Sequence, residues 1–305
     1  MLVIGAAGVD IVGRPKSELR GGSSTPGQIR YSYGGVARNV SENLAHLGQP
    51  TMLITAVGED EEGDRLLKEI AEAGVDVSAV LRTPKYRTGV YLAVVDSKGG
   101  LQFAIDDMRA TSALSSEYIR DRADLFRRAS LLFIDANLPK ETLRTIMSQA
   151  RKENLPVCAD PTSVSLAGRL QPYLPRLYLI TPNNTEATIY CDPDQKITGR
   201  RQALDAAKHL VSHGVQIAII TLGEQGLCYA TSETSGYIPA LRTEIIDPTG
   251  AGDALAATVI FALLNDIPVD DAVRLGVSAA FLTLRYWGAV VPDLNLEMLY
   301  DQLVI

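Results

Sequence analysis

Six short apolar runs, at residues 2–4, 52–56, 131–134, 157–159, 177–180 and 217–221, are rich in β-branched residues, and each leads into a segment of helical period. A strand that is apolar on both faces must be covered on both, and strands that alternate with helices join through parallel crossovers. The pattern predicts an α/β fold, a three-layer sandwich with a mostly parallel central sheet between helices. Ligands of such sheets bind beyond the carboxyl ends of the strands. At 305 residues, one such domain with a smaller appendage accommodates the whole chain, 1–305.

The appendage has its own signal. Residues 28–33, 91–95 and 101–105 alternate polar with apolar, and the last two stretches are separated by turn residues at 96–100. Alternation marks half-exposed antiparallel strands, so a small β-sheet from about 11–33 and 84–112 is expected to project from the main domain. It fits a lid over a substrate site, or an ordinary surface hairpin.

Charge and cysteine usage restrict the partners. A net charge of -7 argues against a nucleic-acid polyanion, which needs clustered Lys and Arg. A small ligand is expected instead. No apolar run approaches the ~18 residues of a membrane span, and the N-terminus carries no basic region before its short apolar stretch, so a cytoplasmic protein with no membrane partner is expected. Cys158, Cys191 and Cys228 are odd in number and far apart, which favours a reducing compartment over a disulfide framework or a zinc site.

The strongest chemical signal is Asp247-Pro248-Thr249-Gly250-Ala251-Gly252-Asp253, followed by an all-apolar stretch at 254–264 that reads as a buried helix. Gly250, Ala251 and Gly252 allow successive backbone N–H groups to converge at the positive end of that helix, an anion hole suited to a phosphoryl group in transfer. Asp253 beside it would repel phosphate, so its presence calls for another role. It fits a general base for an attacking hydroxyl, and it also fits a plain helix N-cap.

This segment resembles the C-terminal signature Asp-Thr-x-Gly-Ala-Gly-Asp of the ribokinase-like, PfkB-type carbohydrate kinase family, with Pro248 in place of the usual Thr. The N-terminal signature is also matched, by Gly34-Gly35-Val36-Ala37-Arg38-Asn39, then Asn43-Leu44-Ala45 and Leu47-Gly48. The resemblance implies a single ribokinase-like domain that uses ATP and Mg²⁺. It implies Asp253 as catalytic base and Gly250, Ala251 and Gly252 as anion hole, with Asp10, Gly34, Gly35, Arg38 and Asn39 around the sugar. Asn183 and Glu186, in the family's Asn-x-x-Glu pattern, are expected to order magnesium-bound water at the phosphates. Thr221, Gly223, Gly226 and Thr249 are expected along the nucleotide, with adenine near Ser278 and Ala279. Asp247 and the loop 288–291 are expected around a K⁺ ion. Asp60 is expected to cap a helix.

Several stretches of the first half also resemble the pseudouridine-kinase branch of the family: residues 5–11 and 24–29, Arg38, and Ala104-Ile105-Asp106-Asp107-Met108. That resemblance implies transfer to the 5′-hydroxyl of pseudouridine, with Ser24, Thr25, Asp106, Asp107 and Met108 as a wall beside the base. Ribokinase, fructokinase and purine-nucleoside kinase remain open on the same motifs, as does a regulator that keeps the fold without turnover. A homodimer through the lid is expected, since related kinases pair exposed lid edges. Neither a complete Gly-x-Gly-x-x-Gly nor a P-loop motif occurs. His46, His209 and His213 read as helix-surface or packing residues.

Overall fold

A computed structural model describes residues 1–19, 21–96, 100–191 and 196–303. In chain order its strands are β1 (Leu2–Ile4), β2 (Gly8–Pro15), β3 (Gly27–Gly34), β4 (Met52–Ile54), β5 (Ala56–Gly58), β6 (Leu81–Thr83), β7 (Gly89–Val95), β8 (Leu101–Asp107), β9 (Leu132–Asp135), β10 (Val157–Asp160), β11 (Leu179–Ile180), β12 (Ile217–Thr221), β13 (Leu227–Ala230) and β14 (Ser235–Ile238). Eight of them form the central sheet in the order β14-β13-β12-β11-β10-β9-β1-β4. The run from β4 to β12 is parallel, and β13 and β14 extend it antiparallel.

The apolar runs are continuous because both faces of this sheet are covered. Leu2 and Ile4 of β1, Leu132 and Ile134 of β9 and Ile220 of β12 enter one core, whereas Val3, Phe133 and Ile219 enter the other. The first core lies under the helices Lys140–Lys152 and Arg200–Ser212. The second lies under Val36–His46, Glu61–Glu72, Ala251–Leu264 and Val269–Leu284. Ala251–Leu264 is apolar all round because it is packed between the helices Val36–His46 and Val269–Leu284 within the second core.

A second sheet, ordered β3-β2-β7-β8, stands apart from the first, and β5 pairs with β6. It starts three residues earlier than the alternation alone predicts, at Gly8, so that Asp10 lies within it. Register puts Ser32, Asp10, Tyr91 and Asp106 side by side in one row on one face. The next row along, Tyr31, Ile11, Leu92 and Ile105, points to the opposite face. Of the expected turn at 96–100, Ser97, Lys98 and Gly99 lie outside the described residues.

Asp60 caps the helix Glu61–Glu72, accepting from the Gly63 N–H. Cys158, Cys191 and Cys228 are free thiols. Among the described residues no helix is long and apolar enough to cross a membrane.

Candidate active site

The carboxyl ends of β1, β9, β10, β11 and β12 converge beside the second sheet and deliver the polar residues of the site. Asp253 sits in the first turn of Ala251–Leu264, which begins at Gly250 rather than at an aspartate cap. Gly250 is left-handed, with φ 78°, and a β-carbon there would lie 2.0 Å from the Ala289 carbonyl oxygen. Only glycine can open this helix against the 288–291 loop. Gly252 is exposed with open space around it, and Ala251 is half-buried, leaving the helix start accessible.

Asp253 Oδ2 accepts a hydrogen bond of 2.7 Å from the Asn39 side-chain amide. Asn39 is itself aimed by Arg38, whose guanidinium donates to Asn39 Oδ1 at 3.1 Å and to the Tyr33 carbonyl. Arg38 is buried and paired with Glu42 and Glu69, so it points into protein. The expected sugar contact at Arg38 is therefore corrected: burial makes it a residue that positions Asn39.

Asp10 is buried, and its carboxyl crowds Gly34, where a β-carbon would fall 2.1 Å from Asp10 Oδ2. Gly35 is the N-cap of the helix that carries Arg38 and Asn39. Burial pushes the Asp10 carboxyl up to about 7, with Arg38 opposing and Asp247 adding to the rise. Burial likewise pushes Asp253 up to about 7. The Asn39 hydrogen bond opposes that rise, and the charges of Asp135 and Asp10 add to it. These carboxyls sense one another because they share one poorly solvated space.

Two acids of this space carry no motif. Asp135, at the end of β9, is fully buried and accepts from the N–H groups of Ala6, Ala37 and Asn137, tying together the exit of β1, the start of Val36–His46 and its own loop. Asp160, at the end of β10, accepts from the Thr162 N–H and the Thr181 hydroxyl. Burial holds Asp160 well above the usual carboxylate range, and the charges of Glu186 and Asp253 add to this. The sequence signal for both was an acid closing a buried parallel strand.

Asn183 and Glu186 form a reciprocal cap on the short helix Asn184–Ala187. Asn183 Oδ1 accepts from Thr185 and Glu186, and Glu186 Oε2 accepts from the Asn183 N–H. Capping thus accounts for much of their geometry, while the buried Glu186 carboxyl remains electrostatically in touch with Asp160. Asn183 bridges to Thr221, and Gly223 and Gly226 bracket the turn from β12 to β13. Ser278 and Ala279, in contrast, are buried in Val269–Leu284, and the Ser278 hydroxyl bonds back to the Arg274 carbonyl. Their side chains face protein, which corrects the expected adenine contact. Asp247 accepts from the Thr249 N–H and from the Gly288 N–H, joining the expected cation loop to the anion-hole segment.

The expected base-side wall is only partly brought together. Asp106 shares the Asp10 row, and the Met108 sulfur lies over Gly89 at the root of the sheet. Asp107 turns away to pair with Arg109. Ser24 and Thr25 lie beyond the Pro15–Gly27 pair, past the fifth residue pair from Asp10 and Ser32. At strand spacing that pair is about 17 Å from Asp10, and Ser24 and Thr25 belong to the loop that follows it. Sequence reasoning missed the cavity of about 710 Å³ between this sheet and the 246–249 segment, lined by Arg14, Gln28, Arg30, Tyr91 and Trp287 among others.

The chain is 31% identical over 299 residues to pseudouridine kinase of Escherichia coli (strain K12), covering 97% of this chain and 94% of that one. It is 29% identical over 295 residues to guanosine-inosine kinase of Exiguobacterium acetylicum, covering 96% and 97%. The structure of ribokinase from Giardia lamblia superposes with a TM-score of 0.85 at 18% identity, over 98% of this chain and 97% of that one, which identifies the fold as ribokinase-like. The pfkB family carbohydrate kinase pattern matches residues 1–295. The chain belongs to the pfkB family of carbohydrate kinases, phosphotransferases that act on an alcohol group.

Proposed function

We propose that the chain transfers the terminal phosphoryl group of ATP to the 5′-hydroxyl of pseudouridine, with Asp253 as general base. The observation that carries this reading is Asp253 itself, a carboxyl set at a glycine-opened helix start and directed by Asn39. In this reading Asp10 accepts from vicinal ribose hydroxyls, Asp253 takes the proton of the attacking hydroxyl, and the N–H groups of Gly250, Ala251 and Gly252 stabilise charge on the phosphoryl oxygens. The second sheet closes as a lid that excludes water.

Asp160 and Glu186 form an all-oxygen acidic pair, and their mutual repulsion is the kind a divalent cation relieves. They would hold Mg²⁺ through its water, and Mg²⁺ when bound supplies charge neutralisation at the phosphates. Asn183, Thr221, Gly223, Gly226 and Thr249 line the nucleotide side of this reading. Asp247 with the 288–291 loop is our site for K⁺.

Pseudouridine is favoured by the similarity to the Escherichia coli enzyme and by Asp106, in the Asp10 row one strand beyond Tyr91, an acceptor that we assign to the extra N–H of that base. The lid also bears on assembly. Ile29, Tyr31, Phe103 and Ile105 on or beside its outer rows are 65–72% exposed, a contiguous apolar face that we assign to a homodimer.

The test is ADP release with Mg-ATP and potassium across pseudouridine, uridine, adenosine, inosine, ribose and fructose. Turnover selective for pseudouridine is expected. Selective turnover of another acceptor overturns the substrate and keeps Asp253, whereas silence on every acceptor counts against the catalytic reading itself.

A further inference from the structure

Arg30 of β3 places its guanidinium carbon 3.4 Å from the centroid of the Trp287 ring, and Arg14 of β2 lies 5.9 Å from the same ring. The arginines project from the inner face of the lid, and Trp287 projects from the loop after Val269–Leu284, so the stack spans the gap across the cavity. Trp287 is 43% exposed, and Arg30 makes no ion pair among the described residues. The guanidinium has chosen an aromatic face over a carboxylate.

The two residues after Trp287 extend the reach of this contact. Gly288 donates to Asp247 Oδ2, and Ala289 sets its carbonyl against Gly250. Three consecutive residues therefore join the lid to the first residue of the anion hole. Anything that draws the lid onto Trp287 also presses on the segment that opens the helix of Asp253.

We propose that Arg30 and Trp287 form a latch, and that they are positioning residues through which lid closure orders the 247–250 segment. This rests on Gly250–Asp253 being the reacting centre. The contact stands without an acceptor, so at rest the latch holds the loop against the lid; whenever the lid lifts, the loop loses its outer support and the segment is less ordered. An acceptor seated under the lid would keep the latch engaged, which favours transfer to the acceptor over water.

Trp287 is the one tryptophan of the chain, so the latch reports on itself. In the ligand-free protein, Arg30→Gln is expected to raise acrylamide quenching of Trp287 and to speed hydrogen exchange at Thr249 and Gly288, whose N–H groups donate to Asp247, by roughly two- to thirty-fold, the range a cation–π contact supplies. Arg30→Lys is expected to restore part of both. Unchanged quenching overturns the stack, and faster quenching with unchanged exchange overturns the coupling. Neither measurement needs the acceptor, so both stand if the proposed substrate is wrong. With a working acceptor, Arg30→Gln and Trp287→Phe should lower kcat/KM for the acceptor by a similar factor and raise the share of ATP lost to water, with KM for ATP unchanged. An equal loss for ATP and acceptor would mean general damage and sink the latch.

Discussion

Asn39 and Asp253, 214 residues apart, meet through a 2.7 Å hydrogen bond in which the Asn39 amide donates to Asp253 Oδ2. The orientation of that amide is set from behind, because the Arg38 guanidinium donates to its oxygen and leaves the N–H₂ side for the carboxyl. The N-terminal signature of the family thus reaches the C-terminal one directly. A buried arginine acts on the proposed base through one intermediate side chain.

Asp253→Asn removes the proton acceptor and keeps the shape. Turnover should fall roughly 10²–10⁴-fold with ATP affinity little changed, measured by initial rates and by nucleotide titration. The same variant should be more thermostable without ligand. A carboxyl raised to about 7 contributes stability that is present at acid pH and lost as pH rises through 7, whereas Asn has no such dependence. The stability advantage of the variant should therefore grow between pH 4 and pH 7. Undiminished turnover would remove Asp253 from the role of base.

The acid limb of the rate profile should move in opposite directions in two variants. As the proposed base Asp253 would act deprotonated, so kcat/KM for the wild type should rise through about pH 7. Asn39→Ala removes a hydrogen bond that favours the ionised form, and the limb should shift to higher pH. Asp10→Asn removes a neighbouring negative charge, and the limb should shift to lower pH while the acceptor KM rises. Two shifts of the same sign would show that another group controls the profile.

How far the site could be read in advance depends on how local its chemistry is. Gly250 to Asp253 and Gly34 to Asn39 are continuous, and each combines backbone freedom with one polar side chain whose type already limits its role. Asp135 and Asp160 are single acids at strand ends, and they become meaningful only when β9 and β10 lie side by side. Trp287 has no local pattern, because its partner comes from β3. The length of the β2–β3 hairpin, which sets Ser24 and Thr25 in the loop beyond Pro15 and Gly27, is not revealed by alternation over 28–33. Ser278 was legible in principle, since the helix around it is apolar on nearly every side. The parallel core was readable from its unbroken apolar strands, whereas β13 and β14, which leave that pattern, were not foreseen.

Gly250→Ala tests the anion hole without touching a side chain of the site. Alanine would have to hold φ near 78° with its β-carbon against the Ala289 carbonyl, so either the helix start or the 288–291 loop must move. A loss of about 1–3 kcal/mol of stability is expected, with a fall in kcat of roughly 10²–10³-fold from the displaced N–H donors. Denaturant melts separate these effects. A variant with wild-type kcat would show that the N–H groups of this turn do not bear on the phosphoryl group.

The apolar outer face of the lid predicts assembly. Phe103 and Ile105 lie two residues apart on edge strand β8, both turned from the Asp10 face, next to Leu92 of β7. Left in water such a face invites pairing with a second copy, since like faces related by a two-fold axis bury each other. Sedimentation of the wild type should report twice the 32.9 kDa chain mass. Phe103→Glu buries a charge at the centre of that contact and should give a folded monomer. If the sheet closes as the proposed lid, the monomer should also show a raised acceptor KM and a kcat less affected. A wild type that sediments as a monomer at micromolar concentration would leave this face without its proposed partner, and the KM change would then have to be traced to the lid alone.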